Sequence, residues 1–157
     1  MIYSSTKTYN EAFSTVFRQW RADSHCKYLH GYALSVSLTF RSRKLDVRNW
    51  VVDFGGMGEL KAQLVRMFDH NTLVARDDPE LEFLVEANER GVLRLHILDD
   101  VGCEAVAREI ASYVCHHWLP SVEKPGRVWL HKVTVCETLA NMATVTLPEP
   151  GDNGSDI

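Results

Sequence analysis

Residues 32–40, YALSVSLTF, place apolar side chains at Tyr32, Leu34, Val36, Leu38 and Phe40 and small or polar ones at Ala33, Ser35, Ser37 and Thr39. An extended chain turns successive side chains to opposite faces, so this alternation predicts a strand with one face buried. Such a strand needs a sheet to join and a cover for its apolar face.

The rest of the sequence supplies both. A first strand lies within IYSSTKTYNEAFSTVF, and NWVVDF at 49–54 reads as a short strand broken by Gly55 and Gly56. Met57, Leu60, Leu64 and Met67 then recur at helical spacing, and Val106, Ile110 and Val114 mark a second amphipathic helix closed before Pro120. VLRLHIL at 92–98 fits a strand or a helix end. Residues 127–137 and 141–147 read as strands turning through TLAN. The order, β-β-β-α, a connecting segment, then α-β-β, predicts an α+β fold: an antiparallel sheet with two helices on one face. A sheet of about four strands with one helical layer leaves its edges unpaired, so oligomerisation through them is expected.

The 157 residues fit one domain, 1–148, followed by a mobile polar tail over 149–157. With a net charge of −4 and its basic residues scattered, the chain lacks the footprint of a nucleic-acid binder. The one basic run, RSRK at 41–44, is either a solvated strand end or a hold for a polyanionic substrate. No apolar run reaches the ~20 residues of a membrane span, and MIYSSTKTY lacks the apolar stretch of a signal peptide. A cytoplasmic protein without membrane contact is expected. The four cysteines include no C-x-x-C pair, which fits reduced thiols. Cys103 and Cys115 fall in a helical pattern and read as core filler, whereas Cys26 stands among polar, titratable neighbours.

Chemistry concentrates in four places. In HCKYLHGY, His30 and Tyr32 lie two apart, so on a strand they share a face as a metal-binding H-x-H pair would. The same spacing fits a turn-capping His30 and a core Tyr32. Cys26 is a candidate nucleophile or base, with His25, Lys27 and His30 able to favour its thiolate; a lone cysteine beside a histidine is equally an inert one. In FDHNTL, Asp69 could orient His70 as in a proton-transfer dyad, provided the chain has left the helix, because adjacent helical residues diverge. A histidine ending a helix is the plainer alternative. Glu137 ends VWLHKVTVCE and by parity shares a face with Trp129, His131, Val133 and Val135. There it reaches solvent or meets a guanidine-like N–H pair in bidentate fashion.

Four stretches in order, CKYLHGY, WVVDF, FDHNTL and VCET, resemble the 6-pyruvoyl- and 6-carboxy-tetrahydropterin synthase family across about residues 26–140. Cys26 stands four residues before His30, as the family's cysteine does before its H-G-H. The resemblance implies a tunnelling fold (T-fold) whose sheets join between subunits into a barrel, a dimer of trimers with active sites at subunit interfaces. It implies a pterin substrate, 7,8-dihydroneopterin triphosphate. Cys26 would move a proton at the side chain, Asp69 and His70 would relay protons or activate the thiol, and Glu137 would grip the aminopyrimidine edge. It also implies zinc held by three histidines, one on the first strand and two in H-G-H. Here His30 matches one, Tyr32 replaces another, and the first strand has none. His25 and Tyr32 are the candidate replacements in a variant site; the alternative is no zinc. Three functions compete: 6-carboxy-tetrahydropterin formation in queuosine-type deazapurine synthesis, a non-catalytic pterin- or purine-binding oligomer, and a Cys26–His70 hydrolytic pair on another fold. The last lacks an oxyanion-hole motif.

Overall fold

The computed structural model, which describes residues 1–151, is built on one antiparallel pair, β1 (Tyr3–Phe17) and β2 (His30–Ser42). Leu34, Val36, Leu38 and Phe40 are fully buried on one face of β2, as the alternation predicts, beside Tyr9, Phe13 and Phe17 of β1. A bulge between Tyr9 and Phe13 bends β1 while both rings stay in the core. Within it Glu11 takes a left-handed φ of 44° and donates its N–H to Ser35 Oγ at 2.8 Å. The opposite face carries cross-strand hydroxyl pairs, Thr6–Thr39 and Thr8–Ser37, each at 2.9 Å.

The complete sheet has six strands rather than four, ordered β4-β3-β1-β2-β5-β6. β5 (Val128–Cys136) and β6 (Met142–Thr146) extend β2 in antiparallel register. β3 (Asn71–Ala75) and β4 (Leu95–Leu98) add to β1 in parallel, so the sheet is mixed rather than antiparallel throughout. A parallel neighbour needs a crossover, and α2 (Leu81–Glu89) supplies it between β3 and β4. VLRLHIL therefore resolves as a strand.

α1 (Gly58–Phe68) buries Leu60, Leu64 and Phe68, and α3 (Cys103–Tyr113) buries Val106, Ala107 and Ile110, all in one core cluster. After Tyr113 the helix widens into a π-type stretch, Val114–Trp118, before a last turn α4 (Leu119–Val122). Pro120 lies in that turn and has no N–H for the carbonyl four residues back. No helix among the described residues is long and apolar enough to cross a membrane.

NWVVDF is not a strand. Asp46 Oδ1 accepts the N–H groups of Arg48 and Trp50 at 2.8 Å each, Asn49 adopts φ 67°, and Asp53 caps a 3-10 turn, Phe54–Met57, through the Gly55 N–H at 2.8 Å. Val51 and Val52 are buried all the same; their apolar character reported burial, not extension. A second departure lies in β5, where Phe40 pairs with Leu130 and Thr39 with Lys132, leaving His131 as an extra residue. Parity does not survive that bulge, so Leu130, Val133 and Val135 join the core while Trp129 packs under the Arg43 guanidinium. The RSRK run is neutralised in part: Arg41 and Arg43 pair with Glu149 at 3.4 and 3.1 Å. The tail expected over 149–157 thus begins with an anchored residue, and its positions 152–157 lie outside the described residues.

The segment between β1 and β2 is clamped to the turn after β3. Arg18 donates Nε and Nη2 to the two oxygens of Asp78, at 2.9 and 2.5 Å, and the Asp78 side chain is wholly buried. Arg21 and Trp20 Nε1 both bond to Asp77. Burial alone would push the Asp78 carboxyl up, but the Arg18 hydrogen bonds and the Glu80 N–H outweigh it and hold it below the usual carboxylate range. A depressed folded value stabilises fully above the unfolded value near ~3.9 and is lost as pH falls through the folded value. Replacing Asp78 by Ala strands the Arg18 charge and is expected to cost about 3–5 kcal/mol. Urea unfolding checks this: the gap to the wild type should be full at neutral pH and close progressively as the medium falls below about pH 4.

Candidate active site

The clamp sets the position of Cys26. The Gln19 N–H bonds to the Cys26 carbonyl at 2.9 Å, and Ser24 Oγ accepts the Cys26 N–H at 3.3 Å as it opens a one-turn 3-10 segment, His25–Lys27. Cys26 is half-buried and lines a cavity of about 410 Å³ with His30, Tyr32, Cys103 and Glu137. His25 is exposed and is not part of that wall.

Three rings pack together where β1 ends and β2 begins. Phe17 is paired across the strands with His30, and Thr15 with Tyr32. Ring centroids are 5.5 Å apart for Phe17–His30, 5.8 Å for Phe17–Tyr32 and 5.3 Å for His30–Tyr32. His30 Nδ1 lies 2.6 Å from the Tyr28 carbonyl. A carbonyl only accepts, so Nδ1 carries the proton and neutral His30 keeps Nε2 as an acceptor. Burial raises the Tyr32 phenol above its ordinary value, and the nearby Glu137, Cys26 and Cys103 add to the shift.

Glu137 follows β5 and closes the turn into β6 with its N–H to the Asn141 carbonyl at 3.1 Å. Across the cavity, Gly102 at φ 114° turns the chain into α3 and delivers Cys103 and Glu104 to the wall. Cys103 belongs to the core cluster, as its helical pattern predicts, and also stands on the cavity wall. It is only 7% exposed, and burial, reinforced by the charges of Glu137 and Glu104 and a hydrogen bond to Glu137, pushes its thiol up to about 12. It remains a thiol beside the Glu137 carboxylate. Its helical apolar context hid this; the preceding glycine and following glutamate were the signal available. Phe17 was likewise invisible as a site residue until strand pairing brought it to His30.

Asp69 and His70 form a second assembly. α1 ends at Phe68, Asp69 is extended, and His70 takes a left-handed φ of 56°. Asp69 Oδ1 accepts the Ser14 N–H at 2.8 Å while Oδ2 lies 3.0 Å from His70 Nδ1. The Ser14 N–H holds the Asp69 carboxyl below the usual range against a smaller effect of burial, and His70 assists. Asn71 Nδ2 caps α1 through the Arg66 and Met67 carbonyls, at 2.8 Å each. The His70 side chain is 77% exposed, and the pair does not line the Cys26 cavity of its own chain. One chain thus gathers Cys26, His30, Tyr32 and Glu137, and presents Asp69–His70 outward. A larger cavity, about 570 Å³, lies between the start of β1 and residues 45–55, but its titratable lining is only Tyr3 and Asp53.

Zinc does not fit the residues present. Of the three imidazoles the resemblance calls for, His30 alone stands at the cavity, and the Phe17 and Tyr32 rings fill the space around it. Among the described residues no three His, Cys, Asp or Glu side chains come together to hold an ion.

The helix-covered mixed sheet is the T-fold architecture of solved pterin synthases, and here a thiol, an imidazole and a carboxylate lie on one of its cavities. The family model described as 6-pyruvoyl tetrahydropterin synthase matches residues 6–148, and the chain belongs to that family. Its fold is similar to that of the uncharacterized protein WS1659 from Wolinella succinogenes, with TM-score 0.79, 19% identity, and coverage of 93% of this chain and 98% of that one. A catalytic-residue mutant of Plasmodium vivax 6-pyruvoyltetrahydropterin synthase gives TM-score 0.66 at 17% identity, covering 92% and 97%. The 6-carboxy-5,6,7,8-tetrahydropterin synthase of Rickettsia typhi is 34% identical over 62 residues, 39% of this chain and 45% of that protein. The match thus spans less than half the length of this curated relative.

The thiols should separate by reactivity. Cys26 is half-buried at the cavity, while Cys103 is buried with its thiol at about 12. At pH 8 iodoacetamide is expected to label native Cys103 more than about 100-fold more slowly than an ordinary thiol, with Cys26 modified first, as peptide mass spectrometry would register.

Proposed function

We propose that the protein is a 6-carboxy-tetrahydropterin synthase, acting on 7,8-dihydroneopterin triphosphate in queuosine-type deazapurine synthesis. The observation that carries this reading is the convergence of Cys26 and Glu137 on one cavity, at opposite ends of the family's motif order. Glu137 offers two carboxylate oxygens to the paired N–H groups of an aminopyrimidine edge, a bidentate match that fixes orientation. The protonated Cys103 beside it restrains the carboxylate. Cys26 then faces the ligand's side chain, where rearrangement of a hydroxylated carbon needs a base and an acid within hydrogen-bond reach.

Asp69–His70 is the remaining proton-transfer pair. Because it is outward-facing and pre-assembled, we assign it to the cavity of a neighbouring copy in a homo-oligomer, a dimer of trimers. Among the described residues the outer edges of β4 and β6 pair with no strand and are available for such sheet-to-sheet joining. A second reading, a pterin-binding oligomer without turnover, is favoured by one observation, the ring cluster of Phe17, His30 and Tyr32.

Variants and mixtures of variants test these assignments. Cys26→Ala should lower turnover of dihydroneopterin triphosphate by about 10²–10⁴-fold while leaving pterin affinity nearly unchanged. Glu137→Gln should weaken pterin binding about 10–100-fold, read by isothermal titration. Wild-type protein that binds the pterin but leaves it unconverted after hours would select the second reading. Mixed refolding of Cys26→Ala with His70→Ala chains should recover activity that neither has alone; no recovery would place both functions within one chain.

A further inference from the structure

The end of the β1–β2 pair raises a question that the pterin reading leaves open. Phe17 is 3% exposed and has no lone pair to offer an ion. It is locked opposite His30 by the strand register, and its ring touches both His30 and Tyr32. Zinc takes nitrogen ligands at about 2.0–2.1 Å and holds three protein ligands even in an open catalytic site. Here one imidazole faces two rings at centroid separations of 5.5 and 5.3 Å, and the third position is hydrocarbon. The other donors on the cavity do not compensate, since no trio of His, Cys, Asp or Glu among the described residues converges.

We infer that this chain binds its ligand without a metal ion, the Phe17–His30–Tyr32 cluster standing in the cation's place and meeting the ligand's side-chain oxygens with the Tyr32 hydroxyl and His30 Nε2. The hydroxyl is a donor and Nε2 an acceptor, so together they match a vicinal diol, which offers both functions. The hydrogen bond from His30 Nδ1 to the Tyr28 carbonyl fixes the tautomer that makes Nε2 the acceptor. The Phe17 ring buttresses both groups and keeps them aimed. The identity of the ligand rests on the pterin reading; the exclusion of the metal does not.

The test measures metal and ligand separately on the full-length wild-type protein. After equilibration with zinc chloride and dialysis, elemental analysis should find well under one zinc per chain, and the same amount in His30→Ala. Phe17→His/Tyr32→His, which supplies the two missing imidazoles, should retain close to one zinc per chain under the same dialysis. Near-stoichiometric zinc in the wild type that His30→Ala removes would overturn the inference, and this arm needs no folded double variant. Neopterin binding, followed by fluorescence, should be unchanged by EDTA; its loss on chelation would also overturn the inference. A wild type that binds neither zinc nor neopterin would overturn the pterin reading and leave the exclusion of the metal standing.

Discussion

The pairing of Phe17 with His30 across β1 and β2 decides what the cavity can be. In an antiparallel pair the side-chain period is two, so a slip of one residue would send Phe17 to the other face of the sheet and bring Val16 opposite His30. The core prevents it: Leu34, Val36, Leu38 and Phe40 are fully buried, and a shift of β2 would expose all four. Burying each such side chain is worth about 1.5–3 kcal/mol, so register is fixed far from the site by residues with no chemistry. The bulge at Glu11 absorbs the misfit between the two strands before it reaches Phe17.

Two charged contacts then carry that rigidity into the loops. Arg18 leaves β1 directly after Phe17 and reaches the buried carboxylate of Asp78, which ties the Cys26 segment to the turn between β3 and α2. Asp69 takes the Ser14 N–H of β1 in the same manner and holds His70 in a left-handed turn. In both cases an acid is kept ionised by donors rather than by solvent. Cys26 and the Asp69–His70 pair are thus both referenced to one strand, although they open to different sides of it.

The sequence was most readable where a pattern repeats. Alternation over 32–40 identified β2 and its buried face, and helical spacing identified α1 and α3. It misled where one residue interrupts the period: the extra His131 in β5 reverses the face of Trp129, and Asp46 ties NWVVDF into turns although its valines are buried. β3 and β4 are short, β3 lying beside β1 and β4 beside β3, both in parallel, so their partners are set by crossovers rather than by local pattern. At the site, Cys26, His30, Tyr32 and Glu137 could be named from residue type and motif order. Phe17 and Cys103 could not, because an apolar residue becomes part of a polar site only through its neighbours.

Burial at position 17 explains why a phenylalanine is compatible with this cavity at all. A histidine at position 17 without a cation would place two ring nitrogens at a site only 3% exposed within the apolar cluster, and each unpaired polar group costs about 1–3 kcal/mol. With Tyr32 in place of the second imidazole, a lone histidine on β1 would meet that penalty with no metal to offset it. Phe17 and Tyr32 are therefore mutually consistent: with no cation to hold, position 17 is more stable as hydrocarbon than as a second imidazole. The cluster forms an aromatic wall of the cavity, and the polar groups it retains are the Tyr32 hydroxyl and the His30 ring nitrogens.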